Sequence, residues 1–194
     1  MRLIILISIL GLLMASIFLL SPSSNGSSCF KKPYDVPDCR AKASQGDAQA
    51  QYFLGTFYLE GREGLEADYK KTLELYTKAA EQGHVWAQFN LGLMYKDGQY
   101  LKEKPTLAAK WFLEAAKSGH ANAQYVLGAL YLVGEGVPKD IQMIYLFWNL
   151  AASNGHDKAK IAIKSLTKKM SQTELRSAKS LLSKWKEKYT VSIK

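Results

Sequence analysis

The 194-residue chain is 47% hydrophobic, has only 5 prolines and 2 cysteines, and carries a formal net charge of +9. That composition suits a single globular domain with a packed core and excludes disorder over most of the length. Residues 30–156 hold 14 Lys+Arg against 14 Asp+Glu while residues 157–194 hold 11 against 3, so the basicity belongs to the C-terminal end; no basic stripe with interleaved aromatics runs through the body, which excludes nucleic acid as the expected partner.

Behind Met1 and Arg2, residues 3–20 are apolar apart from Ser8, Gly11 and Ser16, and the chain then turns to SPSSNGSS. The run is longer than the apolar core of a usual signal peptide and about as long as a membrane-spanning helix. Residues 1–28 therefore read as a signal peptide or membrane anchor with a linker, and no A-x-A cleavage pattern follows closely, which favours the uncleaved anchor. The expected location is periplasmic, tethered to the inner membrane by residues 3–20, or secreted if the signal is cut. Cys29 and Cys39 flank a short segment containing Pro33 and Pro37. In an oxidising compartment they are expected to close a disulfide that pins the first helix, the alternative being two unpaired thiols in a linker.

From Ala50 the chain repeats itself. Ala50–Tyr58 reads AQYFLGTFY, Ala87–Tyr95 reads AQFNLGLMY and Ala123–Tyr131 reads AQYVLGALY, each followed three residues later by Gly61, Gly98 or Gly134. A second phrase trails each copy: Ala79-Ala80 with Gly83-His84, Ala115-Ala116 with Gly119-His120, Ala151-Ala152 with Gly155-His156. The copies lie 37 and 36 residues apart, a period that marks a solenoid of stacked helix pairs. In the first phrase Ala50, Leu54 and Tyr58 fall on one helical stripe, and the helix ends at the following glycine as a C-cap. Gly55, Gly92 and Gly128 sit inside these helices, where glycine costs about 1 kcal/mol relative to alanine; three such costs imply a close approach by the neighbouring helix. The second helix of each pair is expected to open at Asp68 and Asp140 as N-caps, and at Lys104-Pro105 in the middle copy. Tyr76, Phe112 and Trp148, three residues before each Ala-Ala pair, are expected to interlock with those alanines. The full repeats are read as about residues 47–84, 85–120 and 121–156, within a solenoid over residues 29–165 that includes partial leading and trailing repeats.

The trailing repeat has Lys164 where its siblings have glycine. Its apolar stripe is Ala159, Ala162, Ile163, Leu166 and Met170, and its polar face carries Lys158, Lys160, Lys164 and Lys168. Ser171 and Glu174 spell a capping box for a last helix whose apolar face is Leu175, Ala178, Leu181, Leu182 and Trp185. Residues 166–194 thus read as a basic capping element, and a terminal repeat needs such a polar outer surface.

The combination A-Q-[YF]-x-L-G-x-x-Y-x-x-G, then an aromatic before Ala-Ala, then Gly-His, resembles the Sel-1-like repeat (SLR), a relative of the tetratricopeptide repeat, over about residues 37–165. The resemblance implies an all-α fold, a right-handed α-α superhelix with a concave binding face, and a non-catalytic scaffold or adaptor role in an exported bacterial protein. It also admits an exported immunity protein that blocks a toxic enzyme. A β-lactamase-like hydrolase is the remotest reading, because the branch so named carries a cysteine pair in each repeat and these repeats carry none.

On the first helices, Gln49, Phe53, Thr56 and Glu60 are answered by Trp86, Asn90, Leu93 and Asp97, and by Asn122, Val126, Ala129 and Val133. Variable residues on a constant frame are where a repeat protein carries its specificity. Gln49, Phe53, Trp86, Asn90, Leu93, Asn122 and Val126 are therefore the expected contacts to a protein partner, with Trp86 foremost because the frame does not require an aromatic there. His84, His120 and His156 occupy equivalent places about one repeat apart, too far to share a metal at bond lengths of about 2 Å; they are expected to satisfy backbone carbonyls at helix ends. No catalytic, metal or cofactor site is expected, and no small-molecule substrate.

Overall fold

The computed structural model describes residues 28–32, 34–98 and 103–190. Beyond a 3-10 turn at Ser28–Phe30, the described residues form nine α-helices and no strand. Helix α1 (Val36–Ser44) leads three antiparallel pairs: α2 (Ala48–Glu60) with α3 (Tyr69–Glu81), α4 (Val85–Asp97) with α5 (Pro105–Lys117), and α6 (Ala121–Val133) with α7 (Ile141–Ser153). Helices α8 (Asp157–Thr167) and α9 (Gln172–Thr190) follow. Each helix packs on the next in sequence up to α8, as in a solenoid; α9 instead folds back onto α7. No helix among the described residues is long and apolar enough to cross a membrane; the anchor or signal expected over residues 3–20 lies outside the described residues.

Local chemistry sets these boundaries. Gly61, Gly98 and Gly134 close α2, α4 and α6 in the left-handed region, with φ of 62°, 62° and 80°. Asp68 and Asp140 cap α3 and α7 by accepting from the Lys71 and the Gln142 and Met143 amides, and Pro105 starts α5. The capping box at α9 is made: Ser171 N–H donates to Glu174 Oε2 (2.8 Å) and Glu174 N–H to Ser171 Oγ (3.2 Å).

The mid-helix glycines are explained by rings. A β-carbon at Gly55 would lie 2.8 Å from the Tyr76 ring, at Gly92 2.5 Å from Phe112, and at Gly128 2.5 Å from Trp148. The aromatics of the second helices therefore seat on the glycines of the first helices of their own repeats, and they share buried clusters with the Ala-Ala pairs. The alanines serve a further contact: Ala79, Ala80, Ala115, Ala116 and Ala151 are buried where the next repeat's first helix lies against them.

The histidines also differ from expectation. His84, His120 and His156 are the N-caps of α4, α6 and α8, and each Nδ1 accepts the amide N–H three residues on, at 3.2, 3.1 and 3.2 Å. They satisfy donors at the start of a helix rather than carbonyls at the end of one, and Asp47 does the same for α2 through a carboxylate (2.7 Å). Each ring also packs against an aromatic of the preceding repeat: His84 on Tyr52 (4.5 Å between centroids), His120 on Phe89 (4.5 Å) and His156 on Tyr125 (4.1 Å).

At the N-terminal end Cys29 and Cys39 are joined as a disulfide and fully buried, in a cluster with Ala43, Leu54 and Phe57. At the other end Leu175, Leu181, Leu182 and Trp185 of α9 close over the α7 core, with Trp185 edge-on to Phe147 at 5.3 Å.

Candidate functional site

The first helices of adjoining repeats leave grooves between them. Between α2 and α4, Leu59, Leu93 and Met94 form an apolar floor with Tyr76 at its base, and Asn90, Glu60 and Asp97 stand around it, enclosing about 370 Å³. The Tyr76 hydroxyl shares a hydrogen bond with Thr56 Oγ1 (3.0 Å) and accepts from Asn90 Nδ2 (3.3 Å). Burial pushes this phenol above its ordinary pKa, so it stays a neutral donor and acceptor at the base of the groove. Glu60 is paired with Arg62 (2.6 Å) and Asp97 with Lys96 (3.0 Å), so the rim is polar but locally neutralised.

A second groove, of about 470 Å³, opens between α6 and the start of α8. Phe89, Tyr125 and Val126 give it apolar walls, and Asn122, His156, Asp157 and Lys158 give it polar ones. Further along α6, Leu132 and Val133 are about half exposed, at 48% and 57%.

The structure thus brings Asn90 and Leu93 into one groove and Asn122 and Val126 into another. Trp86 is 54% exposed, its ring edge-on to His120 at 4.6 Å. Gln49 is exposed, but its Oε1 already accepts from His84 Nε2 (3.1 Å), which bridges two repeats. Phe53 does not join the grooves: it sits under the N-terminal segment, 5.7 Å from the Phe30 ring and 6.2 Å from Tyr34, and belongs to the disulfide cluster.

Sequence reasoning missed Leu59, Met94 and Tyr76, because a tyrosine counted as core gave no sign that it also underlies a groove. It also missed the buried glutamines. Gln51, Gln88 and Gln124 donate through Nε2 to Ala43, Ala80 and Ala116 carbonyls at 3.1, 3.1 and 3.0 Å, tying each first helix to the end of the helix before it. Among the described residues no three His, Cys, Asp or Glu side chains gather as a metal site would require.

The arrangement presents exposed and half-buried side chains along a rigid frame and offers surface for contact. The Sel1 repeat family model matches three segments, residues 48–84, 87–120 and 121–156. A crystal structure of a Sel1 repeat protein from Oxalobacter formigenes superposes with a TM-score of 0.64 at 37% identity, covering 68% of this chain and 98% of that one. The protein c5321, a protective antigen present in uropathogenic Escherichia coli strains and displaying an SLR fold, superposes with a TM-score of 0.51 at 27% identity, covering 79% of this chain and 41% of that one. The ERAD-associated E3 ubiquitin-protein ligase component HRD3A of Arabidopsis thaliana is 37% identical over 72 residues, 37% of this chain and 10% of that protein. The chain matches about a tenth of the length of its curated relatives. With three successive matches covering more than half of its length, each on a helix pair of the solenoid, the chain belongs to the Sel1 repeat family.

Proposed function

We propose that the chain is a non-catalytic scaffold of the cell envelope, holding a protein partner along the concave side of the solenoid, in the grooves between its first helices. Sel1 repeats build protein-interaction scaffolds, and HRD3A is by its name a component of a ligase. The observation that carries the reading is the division of labour along each first helix. The positions that repeat (Ala87, Gln88, Leu91 and Gly92 in α4) are buried, while the positions that vary (Trp86, Asn90 and Leu93) remain exposed or half-buried, Asn90 and Leu93 of them lining a groove.

Trp86 is the expected anchor: a half-exposed indole held edge-on by His120 keeps its geometry and still offers a large apolar face. Action in the envelope rests on the apolar run over residues 3–20, read as a signal or inner-membrane anchor, and on the Cys29–Cys39 disulfide, a bond that persists in oxidising compartments.

The test is capture from envelope extract on the full-length chain, beside Trp86→Ala. The scaffold reading expects a protein partner retained by the wild type and weakened about thirtyfold, or ~2 kcal/mol, by the substitution. A partner held equally by both, or none at all, would contradict it.

A further inference from the structure

Helix α8 occupies the place of a first helix in a fourth repeat, but the helix that should pair with it lies elsewhere. In α4 and α6 the face that meets the paired helix is made by Gln88 and Gly92, and by Gln124 and Gly128, all buried. The counterparts in α8 are Lys160 and Lys164, both exposed, and α9 packs on α7 instead. The face that pairs in every other repeat is therefore left open on α8.

At about 100° per residue, Lys158, Lys160, Ile161, Lys164 and Lys168 fall within one half of the helix circumference. Ile161 stands where Tyr52, Phe89 and Tyr125 stack on the next repeat's histidine; with no further histidine to cover it, it is 72% exposed amid the lysines. Among the described residues only Lys160 of this face is ion-paired, with Asp157 at 2.8 Å.

A terminal repeat needs a polar outer surface, but not one of a single charge sign. The repeats carry balanced charge over residues 30–156, so mixed signs suffice there, whereas acids are nearly absent beyond Asp157. Unpaired lysines along one side of a helix, with one aliphatic side chain among them and no aromatic for a base to stack on, match a flat anionic surface with an apolar interior. We infer that the open face of α8 docks the C-terminal end of the solenoid on an anionic lipid surface, the lysines on headgroup phosphates and Ile161 between the headgroups. This leaves the groove between α2 and α4 free and touches the second groove only at its Lys158 wall, and it does not depend on the scaffold reading.

The experiment uses the full-length chain and vesicles of phosphatidylcholine, with and without phosphatidylglycerol. The N-terminal segment, with Arg2, Lys31 and Lys32 around residues 3–20, is common to all variants, so its contribution cancels in the comparison between them. Each basic side chain at an anionic surface is worth about a fivefold gain in partitioning. The wild type is therefore expected to favour the phosphatidylglycerol vesicles by at least about tenfold, and to lose that preference at about 0.5 M salt. A variant combining Lys158→Ser, Lys160→Ser, Lys164→Ser and Lys168→Ser, with an unchanged circular dichroism spectrum, should lose it too, and Ile161→Ser should reduce it several-fold. Equal binding to both lipids, or a four-serine variant that keeps the preference, overturns the inference. So does an Ile161→Ser variant that binds vesicles as the wild type does, since the lysines would then form only a general anion patch.

Discussion

Gln88 has done only half of what its siblings do. In the first and third repeats the glutamine oxygen is also satisfied: Gln51 Oε1 accepts from Gln82 Nε2 at 2.8 Å, and Gln124 Oε1 from Asn154 Nδ2 at 2.9 Å. The residue equivalent to Gln82 and Asn154 in the middle repeat is Ser118, and Gln88 Oε1 is buried without a partner among the described residues. Ser118→Asn is expected to supply the missing donor and stabilise by ~1 kcal/mol, raising Tm by about 2–4 °C, as read by thermal denaturation. The opposite sign is expected at Gly92. Alanine there would gain helix propensity of about 1 kcal/mol, but its β-carbon would meet the fully buried Phe112 ring at 2.5 Å, so Gly92→Ala should destabilise by about 1–3 kcal/mol net in urea denaturation. The need for these glycines was legible in the sequence, since a propensity cost paid at three equivalent positions requires a reason. Their partner was not, because which ring faces them depends on the rotation of one helix against the other. The glutamines gave no signal either: a tether to a carbonyl eight residues back exists only once the turn between helices is formed.

At the scale of the element, the junctions before α4 and α6 rest on His84 and His120 as neutral rings. Nδ1 must be free of a proton to accept the helix amide, and a charged ring at a helix N-terminus would oppose the dipole. Burial holds the His84 and His120 pKa below the ordinary imidazole value, opposed at His84 by a hydrogen bond to its own backbone and then by the Asp47 charge. The unfolded chain therefore binds protons more readily than the folded one. The caps' contribution is complete above about pH 6.5 and is lost as pH falls below it toward the folded values. Each cap is worth ~1 kcal/mol. Urea midpoints measured from pH 7.5 to 5 should fall, and His84→Asp with His120→Asp, which copy the cap that Asp47 gives α2, should flatten that slope whatever they do to stability at pH 7.5. An unchanged slope would show that the rings do not carry the pH dependence. The glycine and aspartate caps were legible as local signals; the histidine caps were not, because a Gly-His pair reads equally well as the end of one helix or the start of the next.

Across the whole molecule, the period of 36 to 37 residues was enough to specify an all-α solenoid, because each pair buries its face only against its neighbours. The ends were harder to read. Phe53 matches the frame position of Asn90 and Val126 and so looked like a partner contact, but at the N-terminal end it is spent on the disulfide cluster, which covers the exposed side of the first repeat. The route of α9 back to α7 was likewise hidden, since its apolar face fits either neighbour. The central claim is that the inter-repeat grooves hold a protein partner. It is tested most directly by placing a photo-crosslinking side chain in the full-length chain at Leu93 or Val126, within the grooves, and separately at Lys110, on the exposed side of the second helix α5. The account predicts one and the same protein crosslinked from positions 93 and 126 and none from 110; crosslinks from 110 alone, or from none of the three, would contradict it.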